Sequence, residues 1–117
     1  MARTLLFVYG TLKRGCCNQH RLAGQGFVAA ARTLPLYRLY RIDWHPGLVA
    51  TEPGIAVEGE LWSVDERTLR QLDEYEGVPE WFDRRPVRLA GNVERAEAYF
   101  YQGDVSGKDD CGSVWRE

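Results

Sequence analysis

The chain is poor in the residues from which most catalytic and metal sites are built. It has two histidines, His20 and His45, far apart in sequence. A metal site would have to be gathered from scattered side chains, and none is expected. It has three serines, Ser63, Ser106 and Ser113, and none sits in a G-x-S-x-G turn. That argues against a serine nucleophile on an elbow. Three cysteines, Cys16, Cys17 and Cys111, form no C-x-x-C pair. Adjacent cysteines rarely bond each other, and an odd count leaves a thiol free, which fits a reducing compartment better than a disulfide framework. No apolar run approaches the ~18 residues of a membrane span, and no secretory leader is recognisable at the N-terminus. The expected location is the cytoplasm.

Strong charge is lacking too. The net charge is −2, and the basic residues form no stripe, so neither nucleic acid nor an anionic membrane is an expected partner. What remains is an ordinary globular composition, 44% hydrophobic and 27% charged, in 117 residues. That length suits one domain spanning 1–117, with a Gly/Asp/Ser/Lys-rich segment, 103–117, expected to be a flexible tail unless Trp115 docks. Oligomeric state is not legible.

The pattern along the chain is mostly strand. Thr4 to Tyr9 reads as a buried strand, followed by a loop from Gly10 to Gln19 and one helical turn near His20 to Ala23. Gly26 to Leu34 and Leu36 to Tyr40 read as strands separated by Pro35. A short strand, Leu48 to Ala50, sits in loop chemistry between Asp43 and Gly54. Ile55, Val57, Leu61 and Val64 continue as a strand with a bulge expected at Gly59. The one clear helix is Asp65 to Glu76. Ser63 and Glu66 have capping-box spacing, Gly77 is placed to end it, and Pro79 forbids continuation. Phe82 to Leu89 and Glu94 to Tyr101 read as a hairpin joined at Gly91-Asn92. The expected fold is α+β: a small mixed β-barrel with one or two flanking helices.

Two places invite chemistry. Leu69, Leu72 and Glu76 fall on one helical stripe, so the core-facing side should carry a carboxylate at its end. Burial and the carbonyl end of the helix both disfavour its ionised form, which raises its pKa toward that of a useful base. The plainer alternative is a solvated Glu76, or one paired with Arg84 or Arg85. Asp65, Asp73 and Glu74 project from other angles and can be solvated. The second place is the turn Tyr9-Gly10-Thr11-Leu12. Lys13-Arg14-Gly15 follows it, but the lysine and hydroxyl that a P-loop needs after its second glycine are replaced by Cys16-Cys17. A nest of backbone N–H groups for an anion remains, against the plainer reading of a turn in which Gly10 supplies a positive φ. Cys16 and Cys17 lie near Lys13, Arg14 and His20, the setting of an activated thiol and equally of any polar loop. Tyr99 and Tyr101 share a strand face and either line a pocket or pack. Trp44, Trp62, Trp81 and Trp115 are expected to pack.

These two places also carry a resemblance. Val8-Tyr9-Gly10-Thr11-Leu12-Lys13-Arg14-Gly15, with Asn18 and His20, resembles the N-terminal signature of the γ-glutamylcyclotransferase-like superfamily. Leu72-Asp73-Glu74-Tyr75-Glu76-Gly77-Val78-Pro79 resembles its second signature. The likeness runs from Thr4 to about Gln102 and looks most like the γ-glutamylamine cyclotransferase branch and its bacterial relatives. It implies a small mixed barrel and a cofactor-independent enzyme that converts an L-γ-glutamyl amine to 5-oxoproline and the free amine. Glu76 would be the general acid/base, and Tyr9, Gly10, Thr11, Leu12 and Tyr99 would hold the substrate. One departure is Phe82, where the family often has a tyrosine. The alternatives are a module that binds a γ-glutamyl compound or small anion without turnover, and a biosynthetic enzyme that removes a γ-glutamyl protecting group.

Overall fold

Alternation of apolar side chains along the first strand sets up the architecture. In a computed structural model, which describes residues 2–91 and 95–117, β1 (Arg3–Val8) buries side chains on both faces. Phe7 and the following Tyr9 enter one core with Leu39, Leu48, Leu61, Ala98 and Phe100. Leu6 and Val8 enter a second core with Leu22, Trp62, Val64, Leu69, Leu72 and Tyr99. Period-two geometry sends neighbours to opposite faces, so a strand covered on both sides reads as a continuous apolar run.

Around β1 the chain builds a mixed sheet of β2 (Gly26–Arg32), β3 (Tyr37–Arg41), β4 (Pro46–Ala50), β5 (Glu58–Asp65), β6 (Phe82–Pro86) and β7 (Ala96–Tyr101). The order is β2-β5-β1-β7-β4-β3, with β6 also on β7. β1 lies antiparallel to β5, with Leu6 opposite Trp62, and parallel to β7, with Leu5 opposite Ala96. The expected barrel is not closed: the path begins at β2 and ends at β3. The sheet curls far enough that an isolated bridge forms between Thr33 and Leu89, but no strand ladder seals it. Asn92 and Glu94, at the expected hairpin joint and the start of its second strand, lie outside the described residues.

The helix α1 (Glu66–Glu76) packs Leu69 and Leu72 on the second core. Its cap differs from the expected box. Asp65 is the N-cap, with extended backbone, and its Oδ1 accepts the Thr68 N–H at 2.7 Å. Ser63 lies two residues before the end of β5, and its hydroxyl accepts from Arg3 Nε at 2.8 Å. At the other end Gly77 takes φ 71°, a left-handed conformation that few L-residues tolerate, and the helix stops there. A single 3-10 turn (Gln19–Leu22) is the other helical element among the described residues. The expected bulge also moves. Gly59 pairs in register with Ala31, and the register shift falls between Phe27 and Ala29 on β2. Gly59 is small for a different reason: a Cβ there would run into the Val8 carbonyl.

The segment from Gly103 onward does have its tryptophan docked. Trp115 is buried in the first core, the Glu58 N–H donates to the Ser113 carbonyl at 2.7 Å, and the Cys111 N–H donates to the Leu39 carbonyl at 2.8 Å. Among the described residues no helix is long and apolar enough to cross a membrane.

Candidate active site

Where β1 ends, beside the C-terminus of α1, the surface folds into a cavity of about 520 Å³. Tyr9, Gly10, Thr11, Leu12, Glu76 and Tyr99 all line it. Residues drawn from three separate stretches of sequence therefore meet at one place.

The loop after β1 supplies backbone donors. Its conformation is pinned from within: the Asn18 N–H donates to the Thr11 carbonyl at 2.9 Å, and Asn18 Nδ2 donates to the Thr11 hydroxyl at 3.1 Å. Lys13 Nζ ties the loop to the Trp115 carbonyl at 2.7 Å. The N–H groups of Gly10, Thr11 and Leu12 have no protein acceptor among the described residues. Three successive donors left open beside a cavity make a site for an anionic oxygen. Gly10 is not there for a positive φ. A side chain would not fit, since its Cβ would meet Pro46 Cγ at 2.7 Å.

Among the described residues the Glu76 carboxylate has no salt-bridge partner, and the cavity's protein surroundings close around it. The arginines that might have neutralised it are engaged elsewhere. Arg84 grips Asp73 with two bonds, Nε to Oδ1 at 2.8 Å and Nη2 to Oδ2 at 3.0 Å, and also pairs with Glu97. Arg85 bonds Asp83 and Gln102. By accessible surface Glu76 is only half-buried, because the cavity opens to solvent, yet protein surrounds its carboxyl on most sides. That burial pushes the carboxyl from 4.5 up to about 7, with the field of Arg21 opposing. Arg21 itself lies 3.5 Å over the Tyr75 ring.

Asp73, which the sequence leaves free to be solvated, is instead the centre of a network. Burial pushes its carboxyl up, but hydrogen bonds from Arg84 and Tyr99 outweigh this and hold it below the usual range. The Tyr99 hydroxyl donates to Asp73 Oδ1 at 2.6 Å. The Tyr9 hydroxyl donates to the Tyr99 carbonyl at 2.6 Å and accepts the Leu48 N–H at 3.2 Å. Burial foremost, and then a neighbouring carboxylate or hydrogen bond to one, raises both phenols well above their usual value. They stay neutral and already spend their protons on protein acceptors. In this arrangement both side chains line the cavity with their hydroxyl protons directed at protein acceptors.

The cysteines do not form a nucleophile. Neither Cys16 nor Cys17 lines the cavity. Burial raises the Cys16 thiol, and Glu117 beside Cys17 raises that one, so both move away from thiolate. Among the described residues no group of three or more His, Cys, Asp or Glu side chains is placed to hold a metal ion.

Several lining residues had no motif to announce them: Ile42, Trp44, His45, Pro46, Trp81 and Lys108. Trp44 and Trp81, expected to pack, are exposed at the cavity. Phe82 is buried in the wall, 5.5 Å from the Tyr101 ring and 5.7 Å from His45, and brings no hydroxyl.

Known proteins resemble this chain over most of its length. The family model described as gamma-glutamyl cyclotransferase, AIG2-like, matches residues 6–117. A putative gamma-glutamylcyclotransferase of Vibrio cholerae is 40% identical over 98 residues, 84% of this chain and 82% of that one. The gamma-glutamylaminecyclotransferase of Homo sapiens is 42% identical over 103 residues, 79% of this chain and 65% of that one. The crystal structure of an AIG2-like protein of Mus musculus superposes with a TM-score of 0.83 at 26% identity, covering 97% of this chain and 89% of that one. The chain therefore belongs to the AIG2-like γ-glutamyl cyclotransferase family, a family of enzymes.

Proposed function

We propose that the cavity cyclises an L-γ-glutamyl amine, giving 5-oxoproline and the free amine. The observation that carries this reading is the unpaired carboxylate of Glu76, raised to about 7, beside three open N–H groups. The substrate's α-carboxylate sits on the N–H groups of Gly10, Thr11 and Leu12, and its α-ammonium lies against Glu76.

Glu76 accepts one proton from the α-ammonium, and the freed amine attacks the γ-carbonyl carbon of the same molecule. A new C–N bond closes the five-membered ring, and the bond to the outgoing amine breaks. Glu76 returns its proton to the departing nitrogen. The ring nitrogen gives up a second proton to it, so the amine leaves as an ammonium ion and the lactam keeps one N–H. Nucleophile and electrophile are already joined, so fixing a folded substrate supplies much of the acceleration. The step is of lyase type and consumes no water. The nucleophile and the electrophile both belong to the substrate, and Glu76 moves the proton between them.

A base with a pKa near neutral is suited to both halves of this transfer. The three unbonded cysteines suit a reducing cytoplasm, where we place the protein. The test is release of 5-oxoproline from γ-glutamyl amides. Glu76→Gln should lower kcat by about 10²–10⁴-fold with the fold intact. A variant that keeps full activity would sink the assignment.

A further inference from the structure

The cavity is larger than a glutamyl group needs, and its remaining part has a chemistry of its own. Among the described residues, the exposed large hydrophobics are Phe27, Val28, Trp44 and Trp81. Both tryptophans on that short roll line the cavity. The Trp81 indole lies against Gly77, so close that a Cβ there would be 2.8 Å from Cδ1. It thus begins one residue beyond Glu76. Trp44 stands edge-on to His45 with centroids 4.8 Å apart, His45 is 5.7 Å from Phe82, and Phe82 is 5.5 Å from Tyr101. A continuous run of rings therefore leads from the exposed Trp44 to the wall that carries Tyr99. Apart from Glu76, which the cyclisation reading assigns to the glutamyl ammonium, the charged residues lining the cavity are Asp43 and Lys108, and their signs oppose. No net charge is left there to select an ionised group. Rings without a net field recognise a flat apolar group by stacking and edge contacts.

We propose that this run of rings is the subsite for the departing amine, and that it selects amines bearing an aromatic ring, of the arylalkylamine class. The proposal rests on the cyclisation reading above for which bond is broken there. Trp44, which opens the run, and Trp81, which lines the same cavity, are then specificity-determining residues. They act on the part of the substrate that does not react, and their loss changes which amides are used.

The experiment compares three substrates on the intact protein: the γ-glutamyl amides of methylamine, 2-phenylethylamine and an aliphatic diamine. The phenylethyl amide should exceed the methyl amide in kcat/KM by about tenfold or more, mainly through KM. Trp44→Ala and, separately, Trp81→Ala should draw that ratio toward one. Trp44 is more than half exposed, so its variant guards against a misfolded result at Trp81. Equal kcat/KM for the methyl and phenylethyl amides overturns the proposal. So does a ratio unchanged in both variants, or a preference for the diamine amide, which would mark a cation site on the indole faces. If no amide is turned over, calorimetric binding of the same amides decides. Tighter binding of the phenylethyl amide, weakened by Trp44→Ala, leaves the subsite standing and removes the cyclisation. Equal or absent binding removes the subsite.

Discussion

Glu76 carries a cost that can be measured. Its carboxyl titrates near 7 in the folded chain against 4.5 when free. Below pH 4.5 it is protonated in both states and contributes nothing. Between the two values the folded state holds a proton that the unfolded state has lost, so stability falls as pH rises. Above about 7 the full penalty is present, of order 1–3 kcal/mol once solvent in the cavity is allowed for. Glu76→Gln should therefore raise Tm at pH 8 and change it little at pH 4, as followed by thermal unfolding. Activity runs the other way. In the proposed mechanism Glu76 must be ionised to act, so kcat/KM should climb through about pH 7. A flat profile across that range would place the working proton elsewhere.

At the scale of the element, α1 does two jobs at its two ends, and they can be separated. Asp65 caps the N-terminus through Thr68, so Asp65→Ala should cost about 1 kcal/mol in urea unfolding. The cavity is at the other end, and the pH profile of activity should not move. Asp73 joins the last turn to β6 and β7 through Arg84 and Tyr99. Asp73→Asn should cost about 1–3 kcal/mol and shift that profile too, since Glu76 sits in the same turn. The helix was legible in the sequence because its signals are local: the spacing of Leu69 and Leu72, a stopping glycine, and a proline beyond. Its cap was misplaced by two residues because Ser63 has the right chemistry, but the strand runs on to Asp65 and the Ser63 hydroxyl is held by Arg3. The pairing of Asp73 was not legible, since its partner Arg84 arrives from another element and only the fold sets their distance.

Across the molecule, the segment after Gly103 completes a core begun at β1. Trp115 is buried there among residues from most of the strands. Trp115→Ala should cost about 3 kcal/mol or somewhat more, a large share of the ~5–15 kcal/mol that holds a typical domain. Trp115→Phe should cost less, because the indole N–H is buried without a partner among the described residues and the phenyl ring carries no such donor. Chemical denaturation of both variants checks the order. Strand count and class were readable from alternation, whereas closure was not. Whether a curled sheet seals depends on how β2 and β6 meet, and only an isolated bridge joins their ends. The site was half readable. Glu76 and the loop after β1 carry local patterns, while the cavity wall from Ile42 to Pro46 is ordinary loop composition until the fold brings it opposite the helix.

The four tryptophans divide into two optical populations. Trp62 and Trp115 are 6% and 4% exposed, while Trp44 and Trp81 are 55% and 66% exposed. The first pair should emit in the blue, shielded from dissolved quenchers, and the second in the red, open to iodide. Only the second pair borders the cavity. Intrinsic fluorescence is thus a built-in gauge of occupancy: a bound compound should screen the red component and leave the blue one alone, with no label attached to the protein.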